Sequence, residues 1–174
     1  LVLYAALREH LSSRDIDASS IRGSVGYDPV AAVAEGRVDV ERAFALAHDL
    51  RAEADALPHV RTMGIDSRVY HDAGASAVQE LACTLGALAE RLARATEQRL
   101  DLAALRSELH VLVPVATSYF IAVAKLRALR LLVPQVVAPF LENTDSKDSF
   151  SPSDVSLHAE TSRRSDTRYD PYVN

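Results

Sequence analysis

The stretch LHVLVPVATSYFIAVAKLRALRLLV, Leu109–Val133, contains the two kinds of element from which we predict the fold. Its first part, Leu109–Ala116, is apolar except for one histidine, as in a strand that is buried on both faces of a sheet. Pro114 weakens this assignment, because it cannot donate a hydrogen bond to a neighbouring strand. From Ser118 onward the pattern predicts a helix. A strand that leads into a helix is the repeating unit of a parallel α/β fold.

Three further segments have the length and composition of strands bounded by turn residues: Ile21–Tyr27, His59–Ile65 and Val155–Glu160. The segments between them carry apolar residues at helical spacing. These are Val40, Ala43, Phe44, Ala47, Leu50 and Leu57 in one helix and Val78, Leu81, Ala82, Leu85, Leu88 and Leu92 in the next. An apolar helix in Leu1–Leu11 precedes the first strand. Strand and helix therefore alternate four times, which predicts a parallel sheet of βα units. Four units cannot close an eight-stranded barrel, so the sheet is either open or part of a barrel completed elsewhere.

Local signals predict how several of these elements begin and end. Ser76 and Gln79 have the spacing of a capping box at a helix start, and Ser118 is also expected to cap a helix rather than to act as a nucleophile. Pro134 and Pro139 should kink or end the helix that contains them. The polar segment 141–154 should be an exposed loop.

Composition limits the classes of protein to which the chain can belong. Its 174 residues suffice for one domain with a core, and 48% hydrophobic and 25% charged residues are ordinary for a globular protein. A net charge of −5 gives no support for a nucleic-acid-binding surface. The single cysteine, Cys83, excludes an internal disulfide framework and fits a reducing compartment. No apolar run reaches the roughly 20 residues of a membrane span, and no signal peptide is visible, so we expect a cytoplasmic protein without a membrane partner. Because Leu1 is not a methionine, we also expect a piece of a longer product.

Function in parallel α/β folds gathers at the carboxyl ends of the strands, and the predicted strands end in polar residues without a convincing catalytic set. The candidate site residues are Tyr70, His71, Glu160 and Arg163. Tyr70 and His71 adjoin Asp72, but three adjacent loop residues do not converge on one point as a general base requires. Two interpretations of the arginine pair that begins with Arg163 remain open: it binds phosphate, or it belongs to a solvated loop and pairs with Asp166 and Asp170.

Other kinds of site receive no support from the residue spacing. The six histidines lack metal-ligand spacing, and Cys83 has no nearby cysteine or histidine, so we expect no metal. No glycine-rich phosphate loop is present. Lys125, Arg127 and Arg130 should cover the exterior or a subunit contact with their aliphatic stems.

Three separated motifs occur in an order that resembles the methylmalonyl-CoA mutase family, and most of all its small (beta) subunits. They are VYHDAGASAVQELACTLGALAERL, IAVAKLRALRLL and LHAETSRRSDTRYDPYVN, and GSVGYDPVAAVAEG also fits the family. The resemblance implies a (β/α)₈ barrel through which coenzyme A threads and a separate cobalamin-binding domain. It further implies that residues 1–174 are part of the barrel domain, with about strands four to seven and without the cobalamin-binding domain.

The sequence departs from the catalytic subunits of that family at two strand ends. Those subunits carry Ile-Gln-Asn-Asp where this chain has Val25–Asp28, so Gly26 stands in place of the glutamine that contacts substrate. They carry Gly-Tyr-His where this chain has Ser67, Arg68 and Val69, and a valine cannot donate the hydrogen bond of that histidine. The resemblance therefore implies that no residue of this chain is catalytic.

The expected role is a non-catalytic scaffold for the catalytic large (alpha) subunit. The pair would convert (R)-methylmalonyl-CoA into succinyl-CoA with adenosylcobalamin, which the partner subunit would bind, and we expect no cofactor on this chain. One alternative is an active acyl-CoA mutase fragment of altered specificity that uses Tyr70, His71 or Arg163. Another is an unrelated α/β binding module, which antiparallel or absent strands would favour. A partial barrel leaves a strand edge and an apolar face open, so we also expect association with another copy or with the missing part of the barrel.

Overall fold

A computed structural model describes residues 2–98, 102, 105–141 and 150–166 of the chain. The strands are β1 (Gly23–Tyr27), β2 (Val60–Asp66), β3 (Leu109–Val115) and β4 (Ser156–Thr161). The helices are α1 (Val2–Ser13), α2 (Pro29–Ala34), α3 (Val40–Ala52), α4 (Arg68–Asp72), α5 (Ala77–Glu97), α6 (Leu105–Glu108) and α7 (Tyr119–Leu141). Short 3₁₀ turns occupy Ala18–Ser20, Ala54–Ala56 and Arg163–Ser165. All four predicted strands are present within one or two residues of their expected ends.

The strands form one curled sheet in the order β1-β2-β3-β4, and every neighbouring pair is parallel. Gly23 pairs with Val60, Gly64 with His110, and Val111 with Leu157. This sequential order confirms the predicted α/β class and gives half of a barrel. Antiparallel or absent strands would have favoured an unrelated binding module, and the four strands are present and parallel.

One irregularity, between Ser24 and Tyr27, shifts the register of β1 against β2. Gly26 lies within it at a φ of +43°, which L residues with a side chain rarely adopt. Its carbonyl oxygen lies so close to Gly64 that a Cβ built there would be 2.1 Å away. The two glycines therefore allow the backbones of β1 and β2 to approach each other.

The core lies between the sheet and its helices. Ile65, Val111 and Val113 from the strands are fully buried with Leu92 of α5 and Leu129 of α7. A second apolar cluster joins α1, α3 and the start of β2, with Tyr4, Leu11, Leu50, Leu57 and Val60 buried in it. The helices thus cover one face of the sheet, and the other face is concave.

The structure corrects several details of the helices. Val40, Val78 and Ala82 belong to the predicted apolar faces, but they are exposed; Val40 and Val78 lie in the first turns of α3 and α5, ahead of the turns that meet the core. Ser76 and Gln79 form the predicted capping box. Neither Pro134 nor Pro139 ends α7, since Val133, Pro134 and Val137 are all buried and this packing outweighs one lost backbone donor.

The predicted exposed loop after α7 is wrong in its last part. Phe150 is buried in the core, and Asp154 accepts from the backbone N–H of Ser151 at 2.8 Å. An aromatic ring that packs under the sheet removes apolar area from water, which outweighs the polar composition of its neighbours. Residues 142–149 lie outside the described residues.

Candidate functional site

Polar side chains gather at the carboxyl edge of the sheet, as the sequence predicts. Asp28 follows β1 and caps α2: its Oδ1 accepts from the N–H groups of Val30 at 2.9 Å and Ala31 at 3.1 Å. Its Oδ2 accepts from the Asp66 N–H at 2.7 Å, which ties the end of β1 to the end of β2. Burial raises the pKa of Asp28, while these three backbone hydrogen bonds act against the rise. Asp28 is therefore fully occupied in holding two strand ends.

Arg68, the first residue of α4, reaches across the carboxyl end of the half-barrel from β2 to β4. Its Nε and Nη2 donate to the two oxygens of Asp66 at 2.8 and 2.6 Å, a bidentate fork. Its Nη1 donates to Glu160 Oε2 at the end of β4, at 2.6 Å. These carboxylates raise the pKa of Arg68, with Asp66 the largest cause. The guanidinium thus closes the carboxyl end of the sheet and has its charge matched by two acids.

His71 lies on α4 and is buried, whereas the sequence placed it on a loop. Its Nδ1 is 3.2 Å from Glu80 Oε2, and since a carboxylate only accepts, this nitrogen donates. In the neutral ring Nε2 then accepts from the hydroxyl of Ser162, 2.6 Å away. A 91-residue separation in sequence kept the histidine and the serine from being recognised as neighbours.

Lys125 completes this buried network and corrects a second prediction. Its Nζ lies 2.6 Å from Glu80 Oε1, and only 5% of its side chain and 2% of that of Glu80 are exposed. The ammonium also donates to the carbonyl of Pro114. Lys125 therefore does not cover the exterior, because its place on the buried stripe of α7 turns it toward Glu80 on α5. The network formed by Ser67, His71, Glu80, Lys125 and Ser162 is called the buried network below.

The contacts Ser162–His71–Glu80 have the order of a nucleophile, a base and an acid. Ser162 is only 1% exposed, however, and its Oγ also accepts from the Arg164 N–H at 3.2 Å. Lys125 holds the other oxygen of Glu80. Ser162 is therefore not accessible to a substrate in this structure, and the contacts join α4, α5, α7 and the end of β4.

The other candidate residues are not brought to one point. Tyr70 is half-buried against the core, and this burial raises its pKa to about 12. Glu160 accepts from Arg68, while Arg163 is exposed and shares with Glu160 the wall of a shallow cavity of about 420 Å³. Arg164 donates to the His71 carbonyl at 2.9 Å, a contact that neither interpretation of the arginine pair predicted. Asp170 lies outside the described residues.

The sequence analysis did not predict a cavity on the concave face of the sheet. A cavity of about 680 Å³ opens there, lined by Arg22, Gly23, Ser24, Val25, Gly26, Pro58, His59, Arg61, Arg68, Ser107, His110, Leu112, Ser156 and His158. These residues come from all four strands, from the turns before β1 and β2, and from α4 and α6. Only the pairs His110 with Leu112 and Ser156 with His158 follow the period-two alternation of a strand, so the sequence pattern could have grouped no more than these. We call this surface the concave face.

The imidazoles of His110 and His158 lie near each other on the concave face, with ring centroids 5.8 Å apart. Burial lowers the pKa of His110, and the neighbouring His158 and Arg61 lower it further. The Nη1 of Arg61 donates to the Leu109 carbonyl at 3.0 Å, which holds the guanidinium against the sheet.

Neither a metal centre nor a membrane span can be assigned within the part of the chain that the structure describes. No group of three or more histidine, cysteine, aspartate or glutamate side chains converges there in a way that could hold a metal ion. None of its helices combines the length and apolar character needed to cross a bilayer.

Comparison with known proteins gives a consistent result. The family model described as Methylmalonyl-CoA mutase matches residues 1–174. A methylmalonyl-CoA mutase small subunit of Propionibacterium freudenreichii subsp. shermanii is 31% identical over 92% of this chain and 24% of its own length. That of Streptomyces virginiae is 30% identical over 89% of this chain and 24% of its own length. The large subunit of Streptomyces virginiae is 35% identical over 68% of this chain and 15% of its own length.

The chain thus spans about a quarter of the length of the small subunits that it matches. The match extends over the whole chain, and the parallel half-barrel agrees with the fold that the sequence resemblance implied. This chain belongs to the methylmalonyl-CoA mutase family.

Proposed function

We propose that the chain is part of the small (beta) subunit of an adenosylcobalamin-dependent methylmalonyl-CoA mutase, in which it is a non-catalytic scaffold for the large (alpha) subunit. Relatives that carry the small-subunit name support the assignment of the subunit. The reaction of the pair would be the isomerisation of (R)-methylmalonyl-CoA to succinyl-CoA in the cytoplasm. The four strands would correspond to strands four to seven of the barrel.

The observation that carries this proposal is that Arg68 is hydrogen-bonded to two carboxylates. It follows β2 at the place where catalytic subunits carry Gly-Tyr-His, and all three of its donating nitrogens are held by Asp66 and Glu160. The next residue, Val69, has no polar group. Neither Arg68 nor Val69 is therefore available to hold a thioester carbonyl. In a rearrangement that a cofactor drives, the protein contributes mainly by binding and orienting the substrate.

The size of the side chains on the concave face supports the same conclusion. In a closed barrel, the inward residues of alternate strands fill the interior in layers. Arg61, His110, Leu112 and His158 are large and face the interior here. In a closed barrel these side chains and Arg68 would occupy part of the axis along which an acyl-CoA chain would pass.

The residues present do not fit a corrinoid. The sequence contains no Asp-x-His-x-x-Gly run, the cobalamin-binding motif of the family. Both ring nitrogens of the buried His71 are engaged, by Glu80 and by Ser162. A histidine must offer a free nitrogen to ligate a metal. We therefore propose that the partner subunit binds adenosylcobalamin.

An assay of turnover with and without the partner tests the scaffold role. The chain, supplied with adenosylcobalamin and (R)-methylmalonyl-CoA, should form no succinyl-CoA, whereas adding it to the large subunit of the same organism should raise that subunit's activity or melting temperature. Arg68→Gln breaks the carboxylate fork without removing bulk from the core, and it should leave the chain inactive.

Turnover by the chain alone would contradict the scaffold role. If that turnover were also lost in Tyr70→Phe or Arg163→Gln, which remove exposed or half-buried polar groups, it would favour the alternative, an active acyl-CoA mutase fragment of altered specificity.

A further inference from the structure

The concave face has an unusual charge for this chain. The protein as a whole carries a net charge of −5, yet the described residues that line the cavity include three arginines and three histidines and no aspartate or glutamate. The charge of Arg68 is neutralised by Asp66 and Glu160 at the carboxyl ends of β2 and β4. The remaining two arginines and three histidines extend from the turns before the strands to the middle of the sheet.

Serine hydroxyl groups lie beside these arginine and histidine side chains. Ser24 of β1 and Ser156 of β4 line the same cavity, and Ser156 Oγ is 3.3 Å from His110 Nδ1. A volume of about 680 Å³ falls within the size of ordinary small-molecule sites. Hydroxyl groups together with arginine and histidine N–H groups on one concave surface are hydrogen-bond donors of the kind that bind a phosphate group.

Protonation of His110, which lies beside His158, would make the charge of the concave face depend on pH. The charged groups that act on His110 are His158 from β4 and Arg61 from β2, and both oppose a positive charge on its ring. Arg61 is already engaged with the Leu109 carbonyl, so His110 and His158 are the groups that would contact an anion here. An anion placed between the imidazoles would remove the repulsion and favour protonation of His110.

We propose that the concave face is a site for a small multivalent oxyanion of the phosphate type, held at the His110–His158 pair and taken up together with a proton. The anion completes the hydrogen bonds of the two rings and lies against Ser156. This site does not depend on the scaffold role, because anion binding is measured on the chain alone, without partner subunit or cofactor.

Isothermal titration of inorganic pyrophosphate into the chain at about pH 6 and about pH 8 tests the site, since histidine changes its charge in this interval. Binding should be tighter at the lower pH, by about tenfold if the anion raises the pKa of one imidazole by about one unit. Repeating the titration in buffers of different ionisation enthalpy should show net proton uptake at the higher pH.

Variants locate the anion. His158→Gln changes an exposed side chain and should leave the fold intact by circular dichroism, while pyrophosphate binding weakens and loses most of its pH dependence. The double variant His110→Gln/His158→Gln should lose the remaining pH dependence. His48→Gln alters a histidine on α3, away from the concave face, and should bind as the wild type does.

Three results would overturn the proposal: no saturable binding of pyrophosphate, an affinity that is the same at both pH values, or binding unaffected by the His158 and His110 changes. Citrate, a carboxylate polyanion, separates the two sources of oxyanion. Equal affinity for citrate with the same dependence on the histidines would overturn the phosphate assignment.

Discussion

The strongest prediction concerns Lys125→Met, which removes one charge from the buried network and keeps the length of the side chain. Glu80 would then remain buried with His71 Nδ1 and the Ser67 hydroxyl as its partners, the latter at 3.4 Å. The carbonyl of Pro114 would lose the ammonium as a donor. The change therefore leaves a carboxylate in the protein interior without the cation that offsets its desolvation.

The size of the effect follows from the burial of the pair. At an effective dielectric constant of about 20, two unit charges 2.6 Å apart attract each other by about 6 kcal/mol. Part of this offsets the cost of removing both ions from water, so loss of one partner should lower the free energy of unfolding by about 3–5 kcal/mol. Small domains have about 5–15 kcal/mol in total, so the variant should be close to unfolding.

Urea unfolding followed by circular dichroism measures this loss, and two variants provide controls. Arg127→Met removes an exposed cation from the same helix and should change stability by no more than about 0.5 kcal/mol. Glu80→Gln/Lys125→Met removes both charges and should be more stable than Lys125→Met, with a coupling energy of about 2 kcal/mol. A Lys125→Met protein within about 1 kcal/mol of the wild type would refute the assignment of this lysine to a buried ion pair.

Three further predictions concern other parts of the chain. Gly64→Ala places a Cβ 2.1 Å from the Gly26 carbonyl oxygen and should cost about 3 kcal/mol in urea unfolding, whereas Gly86→Ala, with nothing within 4 Å, should stabilise α5 by about 0.5–1 kcal/mol; equal effects would contradict the close approach of β1 and β2. Burial raises the pKa of Glu108 in the folded state, so its contribution to stability is fully present below the unfolded-state pKa and is lost as the pH rises through the folded-state value. The deficit of Glu108→Gln relative to wild type, measured by urea unfolding, should therefore shrink between about pH 4 and about pH 7, and a deficit that grows would show the opposite shift. Phe120 is 82% exposed on α7, so we expect the wild type to self-associate in light scattering and Phe120→Asp to reduce that self-association; a wild-type monomer would disprove this expectation.

The elements that the sequence predicted well are those whose signals are local. Each strand is a short apolar run between turn residues, and Ser76 with Gln79 forms a cap within one helical turn. The parallel sheet then follows from the alternation of strand and helix, which needs no knowledge of individual contacts. The resemblance to the family added the barrel, which four βα units alone left undecided.

The site was harder to predict because its contacts are distant in sequence. Lys125 and Glu80 are 45 residues apart, and each alone looked like an ordinary surface charge. A signal was nevertheless present. Lys125 follows Ala122 by three residues and precedes Leu129 by four, so it lies on the buried stripe of α7. Two opposite charges on the buried stripes of neighbouring helices predict an ion pair, and Glu80 on α5 and Lys125 on α7 are such charges.

Ser67 and Arg68 indicate how the carboxyl edge of the sheet is used. Ser67 donates to the Leu112 carbonyl at 2.8 Å and lies within reach of Glu80, so it holds the rim from the helix side. Arg68, the next residue, holds the rim from the mouth of the half-barrel through Asp66 and Glu160. Two adjacent residues thus fasten the same strand ends from opposite sides. An edge that must grip a substrate needs polar groups that remain available until the substrate arrives. Here the polar groups bind one another at the place where a barrel enzyme would carry its active site, and this is why we propose a scaffold role for the chain.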